Sequence, residues 1–253
     1  MMKIVTFLSD FGDKDWFVAA VKGEILKITK NVIIVDMTHE LTPYDIHSAA
    51  FLLKSVYSNF PSGTIHLCVI DPGVGGERKP IIVESGGYLF VGPDNGIFSY
   101  IYDRDCKVYE IKCKETLSST FHAREIFGPT AARLAKGLKP QQLGYRVKRF
   151  IKFEFPKMKK KKGKIYGEIV YIDHFGNLIT NVPNSIGVTA FSISKRKIFV
   201  KDFYGEGRHN EIIGIKGSSG FYEIARNQGS ASEALRAKVG MHVWAFVQSH
   251  RKV

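Results

Sequence analysis

Cysteine is scarce in this chain of 253 residues: there are three, Cys68, Cys106 and Cys113, with no CxxC spacing. So sparse and odd a set excludes a disulfide scaffold and a zinc ribbon, and fits a reducing cytoplasm. Long apolar runs are missing too. No stretch approaches the roughly 18 uninterrupted apolar residues of a membrane helix. The apolar start, Ile4–Leu8, runs straight into Ser9-Asp10 and lacks the small-residue cleavage site of a signal peptide. The expectation is a soluble, non-secreted, cytoplasmic protein. Neither a GxxxxGK(S/T) loop nor a GxGxxG fingerprint is present, which removes the two commonest phosphate-binding turns. No cluster of His, Cys, Asp or Glu suggests a metal.

Negative charge is in short supply. The chain has 37 Lys and Arg against 24 Asp and Glu, a formal charge of +13. A basic surface is compatible with nucleic acid, an anionic membrane, or solubility alone. Much of the excess is local: Lys157, Lys159, Lys160, Lys161, Lys162 and Lys164 fall almost together. That run has the composition of a solvated connector, and no aromatics interleave with it for base stacking.

The first half alternates strand and helix patterns. Lys3–Leu8 reads as a strand, and Val18, Val21, Ile25 and Ile28 follow at helical spacing. Residues 32–35 form a second strand and Ile46, Ala49, Ala50 and Leu53 mark a second helix. Thr64–Ile70 is a third strand, Tyr88–Val91 another, and a helix starts near Pro129 and ends at Gly137. The order β-α-β-α-β predicts a mainly parallel sheet. Asp10, Asp36 and Asp71 then stand just past strand ends, on the edge where open α/β sheets bind ligands. Beyond 157–164 the texture becomes β-rich: Lys164–Tyr171, Phe191–Val200, Ile212–Ile215, Phe221–Ala225 and Met241–Val247, with one helix over Ser230–Lys238. The expected organisation is an α/β domain over 1–157, a linker over 158–164, and a small β-barrel-like domain over 165–253.

Four segments can carry chemistry. Asp71-Pro72-Gly73-Val74-Gly75-Gly76-Glu77-Arg78 is a flexible loop whose Asp and Arg can pair, for structure or for catalysis. In Ser118-Ser119-Thr120-Phe121-His122, the histidine can cap, pack or catalyse. Asp173-His174-Phe175-Gly176-Asn177 is either an Asx turn with a core Phe or a cradle for a flat heterocycle. Gly217–Ser230 is a plain hairpin or a place where backbone groups read a base edge.

Together and in this order, these stretches resemble the S-adenosyl-L-methionine (SAM) hydroxide adenosyltransferase family, the SAM hydrolases, relatives of fluorinase and chlorinase. The matching runs are SDFG (9–12), VDMTH (35–39), FPSGTIHLCVIDPGVGGER (60–78), GPDNG (92–96), SSTFHAREIFGPTAA (118–132), YIDHFGNLITN (171–181) and GSSGFYEIARNQGSA (217–231). The resemblance implies an α/β domain followed by a β-barrel-like one, and a homotrimer with its active site between neighbouring subunits. It implies hydrolysis of SAM to adenosine and L-methionine, with SAM as substrate and no cofactor or metal. The catalytic set falls on Asp71, Arg78 and His122. Asp10 and Asp15 match ribose contacts, Phe175 and Asn177 the adenine-stacking and methionine- or adenine-side turn, and Ser218 and Glu223 further substrate contacts. Tyr44 stands where the halogenases carry a tryptophan, and Ala123 and Glu125 replace the commoner Gly and Asp.

The implied reaction is attack of water or hydroxide on ribose C5′ with neutral methionine leaving. An Arg favours hydroxide character, and an Asp–His pair orients the nucleophile or takes its proton; sequence does not choose between Asp71 and His122. A halogenase is the competing activity. Against it, halogenases carry Tyr at the position of Asp71 and an insertion for which the short span from Asp71 to Asp94 leaves no room. A nucleic-acid-binding protein sharing the fold is the competing class.

Overall fold

The structure, a computed structural model, describes residues 2–113, 119–161 and 163–247. Ser118 and Lys162 of the runs above lie outside the described residues. The chain divides into two compact units, residues 1–154 and 155–253. Among the described residues no helix is long and apolar enough to cross a membrane.

The first unit contains β1 (Lys3–Ser9), α1 (Phe17–Ile28), β2 (Val32–Thr38), α2 (Ile46–Val56), β3 (Ile65–Val69), β4 (Pro80–Ser85), β5 (Tyr88–Pro93), β6 (Lys107–Ile111), α3 (Gly128–Ala135), α4 (Pro140–Leu143) and β7 (Gly144–Val147). The sheet order is β2-β1-β3-β5-β4-β6-β7. Both faces are covered, so the central strands are apolar on both sides. Val5 and Phe7 of β1 join Val21, Ile25, Phe127 and Leu134 in one core. Leu8, one residue on, turns to the opposite core with Leu53 of α2.

The expectation of a mainly parallel sheet is corrected. β1 pairs in parallel with β2 and β3, and β3 with β5. The β4–β5, β4–β6 and β6–β7 pairs are antiparallel. The cause lies in Gly86 and Gly87, at φ +58° and +84°. They are the whole connection between β4 and β5, and a two-residue turn with positive φ makes a hairpin. A parallel connection needs a dozen residues or more. Asp36 also differs from expectation: it lies within β2, not beyond it, and its carboxylate meets Lys22 and His39. Those partners hold its pKa below the usual carboxylate range against the upward push of burial.

The second unit contains β8 (Lys159–Lys161), β9 (Lys164–Ile172), β10 (Leu178–Pro183), β11 (Val188–Ile193), β12 (Arg196–Phe199), β13 (Ile212–Lys216), β14 (Phe221–Arg226), α5 (Ala231–Leu235) and β15 (His242–Val247). The order is β12-β11-β15-β9-β10-β14-β13, with β8 also on β9. A bridge from Val200 to Gly214 brings the two ends of this path together, leaving a nearly closed barrel. Ile169, Leu178, Phe191, Ile224 and Val243 fill its interior. Residues 191–200 form two strands, because Ser194 and Lys195 adopt φ +49° and +64° and turn the chain back. The lysine run is not only connector: Lys159–Lys161 pairs along β9. Lysine suits such an edge, where its charge discourages pairing with another chain.

Candidate functional site

β1 and β3 are parallel neighbours, so the residues after them emerge side by side. These are Asp10 and Asp71. The loop after Asp71 folds back on itself, with Val74 N–H donating to the Asp71 carbonyl at 3.2 Å and Gly76 N–H to that of Gly73 at 3.0 Å. Gly75 sits at φ +78°, and a Cβ there would come within 2.2 Å of the Ser119 carbonyl oxygen. Glycine is therefore required for the loop to lie against the segment that carries His122.

The loop returns Arg78 to Asp71. Nε donates to Oδ1 at 2.8 Å and Nη2 donates to Oδ2. The side chains are 9% and 6% exposed, a buried bidentate pair. The same Nη2 lies 2.6 Å from His122 Nδ1. The Phe127 ring lies 5.3 Å from the guanidinium carbon. His122 opens a π-helical turn, Ala123–Phe127, in which Gly128 N–H reaches back to the Ala123 carbonyl before α3 begins. Such wide turns gather at functional sites because they re-aim side chains.

A guanidinium has donors only, so Nδ1 of His122 is the acceptor and the imidazole proton resides on Nε2. The environment agrees. Burial pushes the His122 pKa below its ordinary value, the Arg78 charge adds to this, and Asp71 and Glu125 oppose it in part. His122 is neutral at pH 7. Nη1 of Arg78 is buried without a hydrogen-bond partner among the described residues.

Asp10 accepts the Tyr44 backbone N–H at 2.8 Å. Burial raises its pKa, the Tyr44 bond opposes this, and the nearby Asp71 charge adds to it. Tyr44 holds a left-handed φ of +70° and exposes 70% of its surface. Asp10, Tyr44, Val69, Asp71, Phe121 and His122 line a cavity of about 300 Å³. Asp15 does not: it is exposed, in the turn before α1.

In the second unit, Asp173 organises the turn between β9 and β10. Its Oδ1 accepts the backbone N–H of Phe175 at 3.0 Å and of Asn177 at 2.8 Å; Oδ2 accepts Asn177 Nδ2 at 2.9 Å. The turn is thus an Asx type, but Phe175 is not core: 75% of it is exposed. Phe175, Asn177, Tyr204, Arg226, Asn227 and Ser230 line a second cavity of about 530 Å³. Glu223 lies next to it, accepting the Tyr204 hydroxyl at 3.1 Å. Burial raises the Glu223 pKa; bonds from Tyr204 and the Ser218 backbone oppose this, and the Asp173 charge adds to it. Burial and Glu223 together push the Tyr204 phenol up to about 12. Ser218 itself is exposed in the β13–β14 turn.

Asp71, Arg78 and His122 thus meet in the first unit, with Asp10 on the same cavity. Phe175 and Asn177 meet in the second, with Glu223 adjoining. Sequence reasoning opened an Asx turn at Asp173 without giving that residue a role in the site, and passed over Tyr204. An Asp opening a glycine-containing turn was a legible signal for the first. No motif marked Tyr204, which arrives from a loop remote in sequence.

A family model described as the SAM hydroxide adenosyltransferase N-terminal domain matches residues 5–144, and one for the C-terminal domain matches residues 167–244. A Thermus thermophilus protein named (R)-S-adenosyl-L-methionine hydrolase is 34% identical, covering 96% of this chain and 99% of that one. One of the same name from Methanocaldococcus jannaschii is 33% identical over 93% and 92%. A fluorinase from an Actinoplanes species is more distant, 25% identical over 95% and 96%. Among solved structures, an uncharacterised conserved protein from Thermotoga maritima superposes with a TM-score of 0.87 at 31% identity, covering 96% and 99%.

Proposed function

The chain belongs to the SAM hydroxide adenosyltransferase family, and from that footing we propose that it hydrolyses S-adenosyl-L-methionine to adenosine and L-methionine. The observation that carries the reading is the single guanidinium of Arg78 joining Asp71 and His122 beside one cavity. The sulfonium leaves as a neutral thioether, so the difficulty lies in the nucleophile. Arg78 Nη1, a buried cationic donor without a partner among the described residues, favours an oxygen with anionic character. His122 offers an Nε2–H, because Arg78 occupies its Nδ1, and so serves as a donor to that oxygen. Asp71 is left as the acceptor of the proton, since its oxygens keep lone pairs beyond the two that Arg78 engages. Holding water in line with the C5′–S bond supplies much of the remaining acceleration.

Asp10, a half-buried carboxylate at the neighbouring strand end, suits the ribose hydroxyls. The exposed position of Asp15 gives no support for a second contact there. Phe175, with three quarters of its ring uncovered, suits stacking on adenine, and Asn177 the adenine edge. We assign those contacts, with Ser218 and Glu223, to the second unit of a neighbouring subunit in a homotrimer. The free cysteines suit a cytoplasmic setting. The reaction draws on SAM and water alone.

The test is incubation with each sulfonium epimer of SAM in water enriched in the heavy oxygen isotope, with and without chloride, followed by mass spectrometry. The expected product is adenosine labelled at C5′, formed from the (R) epimer that names the relatives. A 5′-chloro-adenosine, or intact SAM, overturns the reading.

A further inference from the structure

The register of the barrel strands interleaves the lysine run with aromatic side chains that are distant in sequence. Lys159 pairs with Tyr166 and Lys161 with Lys164 across β8 and β9. On the other side of β9, Tyr166 pairs with Trp244 and Lys164 with Phe246 of β15. The alternate residues of these strands, Ile165, Val243 and Ala245, fill the barrel interior, so this set faces outward. Across β11 the face continues to Lys197 and Phe199 of β12, whose alternate residue Ile198 is again internal.

Contacts confirm one continuous surface. The Tyr166 and Trp244 rings are 4.9 Å apart. Lys164 Nζ lies 4.7 Å from the Phe246 centroid, and Lys197 Nζ lies 5.7 Å from it and 5.0 Å from that of Phe199. Phe199 is 58% exposed. Glu168, a carboxylate at the end of the face, stands beside His242 at 3.8 Å.

We propose that this outer face of the second unit, formed by β8, β9, β15, β11 and β12, binds single-stranded nucleic acid. The lysines neutralise phosphates and the rings accept bases. Charge complementarity commits the occupant to a polyanion. The rings narrow it to one with flat, unpaired bases, because aromatic platforms flanked by cations are how single strands are held without sequence preference. Five neighbouring strands span about 19 Å, enough for a few nucleotides.

The experiment is fluorescence anisotropy with the intact protein and a labelled oligouridylate of about twelve nucleotides, across a salt series. Binding is expected, weakening linearly in log–log form as salt rises. Changing Lys159→Glu, Lys161→Glu and Lys197→Glu together is expected to weaken it at least about 10-fold and flatten the salt slope. Phe199→Ala is expected to cost about 5-fold to 10-fold for the oligouridylate and nothing for an abasic strand of equal length. SAM hydrolysis is expected to stay unchanged in both variants. Equal loss on the abasic strand, or no binding near 100 mM salt, overturns the proposal. So does equally tight binding to phosphatidylserine vesicles, which assigns the face to membranes. A shift in oligomeric state in the lysine variant also overturns it, assigning the face to contacts between copies.

Discussion

Nη2 of Arg78 lies 2.6 Å from Nδ1 of His122 while also donating to Asp71. One nitrogen therefore fixes both the imidazole tautomer and the carboxylate orientation. Arg78→Lys keeps the charge but has no planar fork to make these contacts. Turnover is expected to fall by about 10²-fold or more. Losing a hydrogen bond of the fork to the buried carboxylate also costs about 1.5–3 kcal/mol. Steady-state kinetics beside a thermal melt check this, and turnover within threefold of the parent would sink the assignment.

His122 predicts the acid limb of the pH profile. Its folded pKa lies below the unfolded value of about 6.5. A second proton would set a cationic imidazole against Arg78. Activity is therefore expected to hold at pH 7 and fall only below 6.5. The linked stability has the same sign: present above about 6.5, lost as pH falls through the folded pKa. Nitrogen NMR of the imidazole is expected to show a proton on Nε2 and none on Nδ1. A neutral ring protonated at Nδ1 refutes the tautomer.

Gly75→Ala probes the loop against His122. The new Cβ would press on the Ser119 carbonyl at 2.2 Å, at a φ of +78°. Loop and histidine segment must part, and turnover is expected to drop about 10-fold or more, since small displacements misplace reacting groups. A variant with parental kinetics would show that the two segments move independently.

Tyr44→Gly separates backbone from ring. Glycine takes a φ of +70° without penalty and still donates its N–H to Asp10. The melting temperature is expected to hold or rise slightly, because a non-glycine residue there stores about 1 kcal/mol of strain. A marked fall in melting temperature would mean that the exposed ring packs more firmly than its surface suggests.

Phe175→Ala is expected to leave stability alone, the ring being 75% exposed, and to raise KM for SAM about 10-fold. An unchanged KM removes Phe175 from the proposed adenine site.

The sequence revealed much of this molecule through local patterns. Helices α1 and α2 were legible from Val18, Val21 and Ile25, and from Ala49, Ala50 and Leu53, which are all buried. Asp71, Arg78 and His122 stood out because their surrounding turns are glycine-rich or polar. Strand direction was less legible. The pair Gly86-Gly87 specifies a hairpin, but β4 is one short apolar run among many, and its partners are set by the sheet. The β11–β12 turn hid for a different reason: Ser194 and Lys195 are not the usual residues at positive φ. Tyr204 and the lysine–aromatic face depend on register between distant strands, which no local pattern encodes.

The Gly86-Gly87 hairpin has a further consequence. Because β4 runs opposite to β3 and β5, it begins at the end of the sheet where they finish. The chain leaving β3 never has to cross the molecule before β4, so the loop from Asp71 to Arg78 can be short. β6 reverses direction once more and finishes at that same end, delivering the segment that leads to His122. In an all-parallel sheet Arg78 would open its strand on the far side, a full strand length from its partners. Two reversals of chain direction therefore act as the device that gathers Asp71, Arg78 and His122 from two separate connections at one pole.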